Sequence, residues 1–338
     1  MLGSTSSSAV LAAPAAATPA RRSGSVRRTS STDLLRRQGA HGPLTVVGRA
    51  RDLATDRIGT PRVVASALVN VTVADGVATA VSMHPQPDRA ALLVGRRVGT
   101  GWRTGLYRYV RDHHDAGTPL HLLLDELPVG LIISAFTQRR MAPATGRGHA
   151  RRLDVCAGWA AGGMAARAMH EHGMPPEPPG PLAPDLVDPE DPLGWHTLAA
   201  LPTWGISRRR RIDVWPQGAA LGVDAMFRDT YVDDAGRSRV LHEYAVAATV
   251  DPATHEVLAV AATAHAVPHP ECPLSVASAQ RIVGAPAGAL RDRVSMDLFG
   301  PRSCTHLNDL LRSLADVPAL AGHLGASEPP LDSDARRH

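Results

Sequence analysis

The sequence predicts an α+β fold: two related antiparallel β-meander units with flanking helices, packed as a pseudo-twofold pair. Three observations carry that expectation. Val26–Leu106 and Ser207–Val294 can be laid over each other with few gaps, as copies of one unit would be. Each stretch holds runs rich in β-branched residues, separated by short turn signals. Each meander would also leave an apolar face that one helix covers only partly. Packing the copies together, sheet on sheet or edge to edge, buries those faces.

Composition bounds the function. The chain has 338 residues, enough for two halves with a sizeable core, and only 4% aromatics, so that core rests on Val, Leu and Ala. All 36 basic residues are arginine. They are scattered among 32 acidic residues, the only dense run being Arg208–Arg211, so the net charge of +4 is weak evidence for an acidic partner. Nucleic-acid binding would want a basic stripe interleaved with aromatics, and none is present. Three cysteines, Cys156, Cys272 and Cys304, cannot all pair, which points to reduced thiols and a cytoplasmic location. The stretch Ala9–Ala17 is too short and too Pro-interrupted for a signal core. No run of 18 apolar residues occurs; Leu122–Phe136 comes closest but is broken by Asp125, Glu126 and Pro128, so no membrane partner is expected.

Taken in order, residues 1–25 are Ser/Ala/Thr/Pro-rich and are expected to form a disordered tail. The first unit spans 26–140. Within it Leu44–Leu53, Val63–Val73 and Val77–Met83 read as strands joined at Gly59-Thr60-Pro61 and Ala74-Asp75-Gly76. Ala90–Asp112 reads as a glycine-containing turn running into a helix, and Leu120–Phe136 as an apolar segment interrupted at Asp125–Pro128. Residues 141–206 combine an Ala-rich helix over Arg151–Glu171 with a proline-rich extended connection, Pro175–Pro192, which Trp195 can anchor. The second unit spans 207–321 and copies the meander. Leu307, Leu310, Leu311, Leu314 and Val317 then give a helical stripe over Thr305–Val317. Residues 322–338 are expected to be a frayed tail.

What the copies do not share marks the candidate site. His242 stands where the first copy has Ala65, and Cys272, Cys304 and His306 belong to the second copy and the segment after it. In Gly300–Asp309, with Ser303 as N-cap, Cys304 and His306 fall in a first helical turn. Free N–H groups and the helix dipole favour a thiolate there, an arrangement for nucleophilic catalysis. Alternatively, His242, Cys272, Cys304 and His306 form a Cys₂His₂ donor set sufficient for a tetrahedral zinc. Asp309, one turn on, is either an acceptor for the His306 imidazole or a first-turn acid favoured by the dipole. Packing also accounts for these residues: cysteine is commonly a small buried hydrophobe, and a strand histidine a hydrogen-bonded core residue. The repeated Arg51-Asp52 and Arg228-Asp229 read as ion pairs holding one corner twice. Gly95, matched by Gly284, reads as a turn the fold requires, and Asp125-Glu126 as solvent-facing.

Four segments carry a resemblance: Arg211–Trp215 (RIDVW), Leu241–Tyr244 (LHEY), Glu271–Pro273 (ECP) and Cys304–Val317 (CTHLNDLLRSLADV). With these the second unit and the segment after it resemble DUF2889, a bacterial family of unknown function. The first unit looks like a diverged half of longer members. The resemblance implies no activity or cofactor, but it places Cys304 and His306 in the family's most recognisable segment. Two functions are therefore carried forward. One is an enzyme acting on a small organic or acyl-type substrate through Cys304, His306 and Asp309, with or without a metal. The other is a non-catalytic small-molecule-binding or accessory protein whose Cys/His cluster is structural.

Overall fold

Eight strands form one antiparallel sheet: β1 (Ser25–Leu35), β2 (Leu44–Thr55), β3 (Pro61–Ala74), β4 (Val77–His84), β5 (Ile206–Gln217), β6 (Ala220–Val232), β7 (Ser238–Val250) and β8 (Val257–Ala266). The computed structural model describes residues 13–15, 17–142, 153–173 and 179–325. The strand order is β4-β3-β2-β1-β5-β6-β7-β8, so two four-stranded meanders join edge to edge at the β1–β5 seam. Eight helices accompany the sheet among the described residues. They are α1 (Trp102–Tyr109), α2 (Arg111–Asp115), α3 (Pro119–Asp125), α4 (Leu127–Met141), α5 (Met164–His172), α6 (Leu290–Asp297), α7 (Thr305–Ser313) and α8 (Val317–Ala321).

The expected strands β2, β3 and β4 are present, and so are their second-half counterparts. The two seam strands were not foreseen. In β5, Arg208 and Arg210 point to one face and Arg209 and Arg211 to the other, because strand side chains alternate. On the helical face Arg208 meets Asp229 and Asp309, while Arg210 meets Glu126 and Asp309. On the opposite face Arg209 meets Asp33, and Arg211 meets Asp213 and Asp224. Strand β1 contributes Arg27 to Asp213 and Arg28 to Asp52 and Asp316. Thus two apolar cores, one per meander, flank a buried ionic layer at the seam.

Several sequence expectations need correction. Arg51 does not pair with Asp52, nor Arg228 with Asp229, since neighbours in a strand face opposite ways. Each aspartate instead takes the arginine directly across the ladder, Arg28 for Asp52 and Arg208 for Asp229. Arg228 turns to Glu243 at 2.6 Å, and Arg51 to the Leu193 carbonyl at 2.5 Å. Asp125 and Glu126 are buried, not solvent-facing, and receive Arg312, Arg103 and Arg210. The described part of the Ala-rich stretch is α-helical only over Met164–His172, with a single 3-10 turn before it at Ala157–Trp159. Within the supposed N-terminal tail Thr18 is buried and accepts from Trp195 Nε1 at 2.8 Å. Residues 1–12, 16, 143–152, 174–178 and 326–338 lie outside the described residues, and with them parts of the expected tails and connection.

The non-helical face of the seam is covered by the connection. His196 bridges Thr29 Oγ1 at 2.9 Å and Ser31 Oγ at 2.8 Å, and Trp195 packs with Leu186 and Met226. Gly95 and Gly284 both take φ +81°, and each amide bonds back to the start of its meander's fourth strand region, to Ala78 and Val257. Both are turns that need a residue without Cβ strain. No single described helix is long and apolar enough to cross a membrane. The bent pair α3–α4 passes only jointly, and Asp125 and Glu126 at its break hold arginines of the ionic layer.

Candidate metal centre

The β6–β7 ladder places Asp229 directly opposite His242, immediately before a bulge between Asp229 and Thr230. The β2–β3 ladder has its bulge between Asp52 and Leu53, where Asp52 faces Ala65. The two corners therefore share a backbone, and one of them carries an imidazole. A bulge re-aims side chains at a strand end, and here it directs His242 toward the start of α7. That helix begins with Cys304 as its N-cap, one residue later than expected, so His306 occupies the second helical position. Ser303 instead bonds the Gly300 carbonyl at 3.0 Å.

His242 and His306 stack, their ring centroids 3.8 Å apart and their planes 19° from parallel. Phe227 lies under His306 at 6.5 Å, and the Arg208 guanidinium lies over Phe227 at 4.4 Å. Asp229 is fully buried and accepts both Arg208 Nε at 2.7 Å and Nη2 at 2.9 Å. Its Oδ2 is also 3.3 Å from His242 Nδ1, but that nitrogen has no hydrogen-bond partner of acceptable geometry. His306 Nε2 is likewise buried and unpartnered. One ligand atom from each of Asp229, His242 and His306 lies within 4.8 Å of the others.

Electrostatics fix the protonation states. Burial, reinforced by the neighbouring His242, holds the His306 imidazole well below the ordinary histidine range, so it is neutral at pH 7. Burial works against the Asp229 carboxylate, but Arg208 and His242 outweigh it and hold that group well below the usual carboxylate range. A carboxylate beside two imidazoles with unused ring nitrogens offers the donor types that a transition metal takes.

The predicted site residues are only partly assembled. His242 and His306 lie side by side, and their third neighbour is Asp229, which the sequence reading treated as a corner ion pair. Cys304 is adjacent, its Sγ 4.0 Å from His306 Nδ1. Cys272 is buried in the second core beyond it, next to Gly158, its carbonyl accepting from the Tyr244 hydroxyl at 3.5 Å, and is outside the three-residue donor group. Burial and then the neighbouring Cys304 push the Cys272 thiol far up, the reverse of an activated thiol. Cys156 joins the same neighbourhood through Ala157, whose amide bonds the Ser303 carbonyl. Its thiol is pushed up to about 11, chiefly by burial. Asp309 does not accept from His306. It takes Arg208, Arg210 and Arg103 and so belongs to the ionic layer. The signal for Asp229 lay in the overlay: it sits in the same register as His242, one strand away, and only the second meander has the histidine at that place.

Residues 206–320 match the model of a family described as a protein of unknown function, DUF2889. The matched stretch covers the second meander and helices α6, α7 and most of α8, and so contains Asp229, His242, Cys272, Cys304 and His306. No curated protein and no solved structure matches the chain.

Proposed function

We propose that Asp229, His242 and His306 bind one divalent transition metal, zinc or ferrous iron, and that the second half of the chain is an enzyme acting on a small organic or acyl-type substrate at that metal. The observation that supports this most is the pair of buried, unpartnered ring nitrogens, His242 Nδ1 and His306 Nε2, beside an ionised carboxylate. A buried polar atom without a partner is costly, and a metal satisfies both nitrogens at once. Two histidines and one carboxylate leave coordination positions for water and substrate, as catalytic metals require. A metal bound there supplies Lewis acidity toward an oxygen of the substrate.

The residues around the donors have definite tasks. Arg208 grips Asp229 through both carboxylate oxygens and fixes its orientation, while Oδ2 retains a lone pair for the cation. Cys304 faces Nδ1 of His306, the nitrogen the metal does not use, and so fixes the tautomer. In this reading Cys304 is a positioning residue and not the nucleophile expected from sequence. The alternative, a structural Cys/His cluster in a non-catalytic binding protein, with or without zinc, predicts either no metal or one closed off by four protein ligands.

The test is titration of the chelator-treated protein with Co(II), read by its visible absorption, and with Zn(II), read by calorimetry. One equivalent is expected to bind. His242→Ala is the informative variant, because the first meander already folds with Ala65 at that corner. It should remain folded by circular dichroism and lose the site, whereas Cys272→Ala should keep it. Absence of stoichiometric binding by the unmodified chain, or binding unchanged in His242→Ala, removes the proposal.

A further inference from the structure

The non-helical face of the sheet carries an unbalanced group of charges in the first half. Asp33 of β1 pairs across the ladder with Val47, and Ser31 with Arg49 on one side and Arg209 on the other, so all five side chains share one face. Asp33 stands diagonally between the two arginines and accepts from both, from Arg209 Nη1 at 2.5 Å and from Arg49 Nη1 at 3.3 Å. One carboxylate thus serves two guanidiniums. A cavity of about 390 Å³ opens beside them, lined by Asp33, Arg49 and Arg37, with Leu35, Val47 and residues 199–202 as its apolar walls.

The donors that line this cavity are free and within reach of it. Arg37 is exposed and has no hydrogen bond or ion pair with any described residue. Arg49 uses Nη1 on Asp33, its side chain is 38% exposed, and its unpartnered Nε and Nη2 are not shut off from solvent. The second half shows the same corner in balance. There Asp213 also takes two arginines, Arg27 and Arg211, but Asp224 adds a second carboxylate at the place where the first half has Val47. Met226 stands in the second half where Arg49 stands in the first. Arg37, Arg49 and Arg209 therefore face the single acid Asp33, and two positive charges are in excess. Burial, then Arg209, Arg51 and Arg49, push the neighbouring His196 ring down to about 3, in keeping with a positive field.

From this we infer that the cavity binds a small organic phosphate monoester as its dianion, the phosphate held by Arg37 and Arg49 and the apolar body lying along Leu35, Val47 and Leu201. A guanidinium presents paired N–H groups that fit phosphate oxygens bidentately. A dianion meets the excess of two charges, where a carboxylate leaves one unmet. Asp33 does not oppose it, since arginines engage both of its oxygens. This site does not depend on the metal reading, because Asp229, His242 and His306 are not in its lining.

Phenyl phosphate, inorganic phosphate and benzoate serve as matched probes, titrated into the full chain by calorimetry well above the second phosphate pKa of about 6. Chelator is present throughout, so that no metal at His242 and His306 takes the phosphate. Phenyl phosphate is expected to saturate one site, with inorganic phosphate and benzoate each about tenfold weaker. Arg37→Gln changes an exposed side chain, and Arg49→Met puts there what the second half already carries at Met226. Each should weaken phenyl phosphate about tenfold or more, while His242→Ala should leave it unchanged. No phenyl phosphate binding, either other probe binding as tightly, binding unchanged in either arginine variant, or binding lost in His242→Ala overturns the inference.

Discussion

Arg210 shows what a single side chain does in this molecule. Its Nε donates to Glu126 at 2.5 Å, its Nη2 to Asp309 at 2.5 Å and its Nη1 to Ser313 at 2.7 Å, all inside the protein. Glu126 comes from the first half and Asp309 from the second, so one guanidinium holds both halves' helices onto the seam. The Glu126 carboxyl is raised above its ordinary range by burial and by Asp309, with Arg210 the main influence opposing them. Arg210→Met removes that compensation and leaves two carboxylates facing each other. We expect a loss of about 3–5 kcal/mol, the cost of breaking a buried ion pair from one side, measured by urea unfolding. A loss below about 1 kcal/mol would mean that the layer is solvated and contributes little. None of this was legible in the residue itself. A run of four arginines reads as surface charge, and its buried partners, Asp33, Glu126, Asp229 and Asp309, are scattered over the chain. His242 was legible, because a comparison of like positions isolates it from Ala65. Asp229 was hidden by having an equivalent, Asp52, with a purely structural partner.

Among the elements, those with a periodic apolar pattern were found and those without one were missed. Strands β2, β3, β6 and β7 bury valines and alanines, and α7 carries its leucine stripe toward the second core. Strands β1 and β5 have neither alternation nor an apolar run. They are buried throughout most of their length, but polar layers cover both of their faces, so their sequence looks like a loop's. The start of α7 was misplaced by one residue, and this too has a physical consequence. Helix α3 has Thr118 as its N-cap, accepting from the His121 amide at 3.3 Å, whereas Cys304 caps α7 with extended backbone angles and no side-chain bond to a first-turn amide. Cys304→Ser supplies the missing acceptor for a first-turn amide. It should stabilise the protein by about 0.5–1 kcal/mol relative to Cys304→Ala, read by thermal or urea unfolding of the two variants in chelator. If serine is instead the less stable of the pair by about 1 kcal/mol, the thiol pocket tolerates no hydroxyl and the capping argument is wrong.

The whole molecule holds three of its histidines, His121, His196 and His306, as largely buried neutral groups, and that sets its response to acid. Burial, then Arg291, lowers His121 to about 3; burial, then Arg209, lowers His196 to about 3; and His306 is held well below its ordinary value. An unfolded chain protonates the same rings near pH 6.5. Between roughly pH 6 and pH 4 the unfolded state therefore binds protons that the folded state refuses. Stability is fully present above pH 6.5 and falls as the pH drops toward 3. Each ring contributes about 1.4 kcal/mol per pH unit over that window, and the three together about 4. A domain of ordinary stability, about 5–15 kcal/mol, should then unfold before the carboxylates of the ionic layer protonate. Asp125 and Asp229, each held well below the usual carboxylate range by its arginines against burial, would add to the loss only below about pH 4. Urea midpoints at pH 7.5, 6 and 5, taken in chelator so that no metal competes for His306, measure the slope directly. His196→Asn keeps a polar group in the place of Nδ1, able to bond Thr29, and should reduce that slope by about a third, the share of one ring in three. A stability that stays flat from pH 7.5 to pH 5 would show that these rings take up protons in the folded state. The closed arrangement of cores and ionic layer would then not hold in solution.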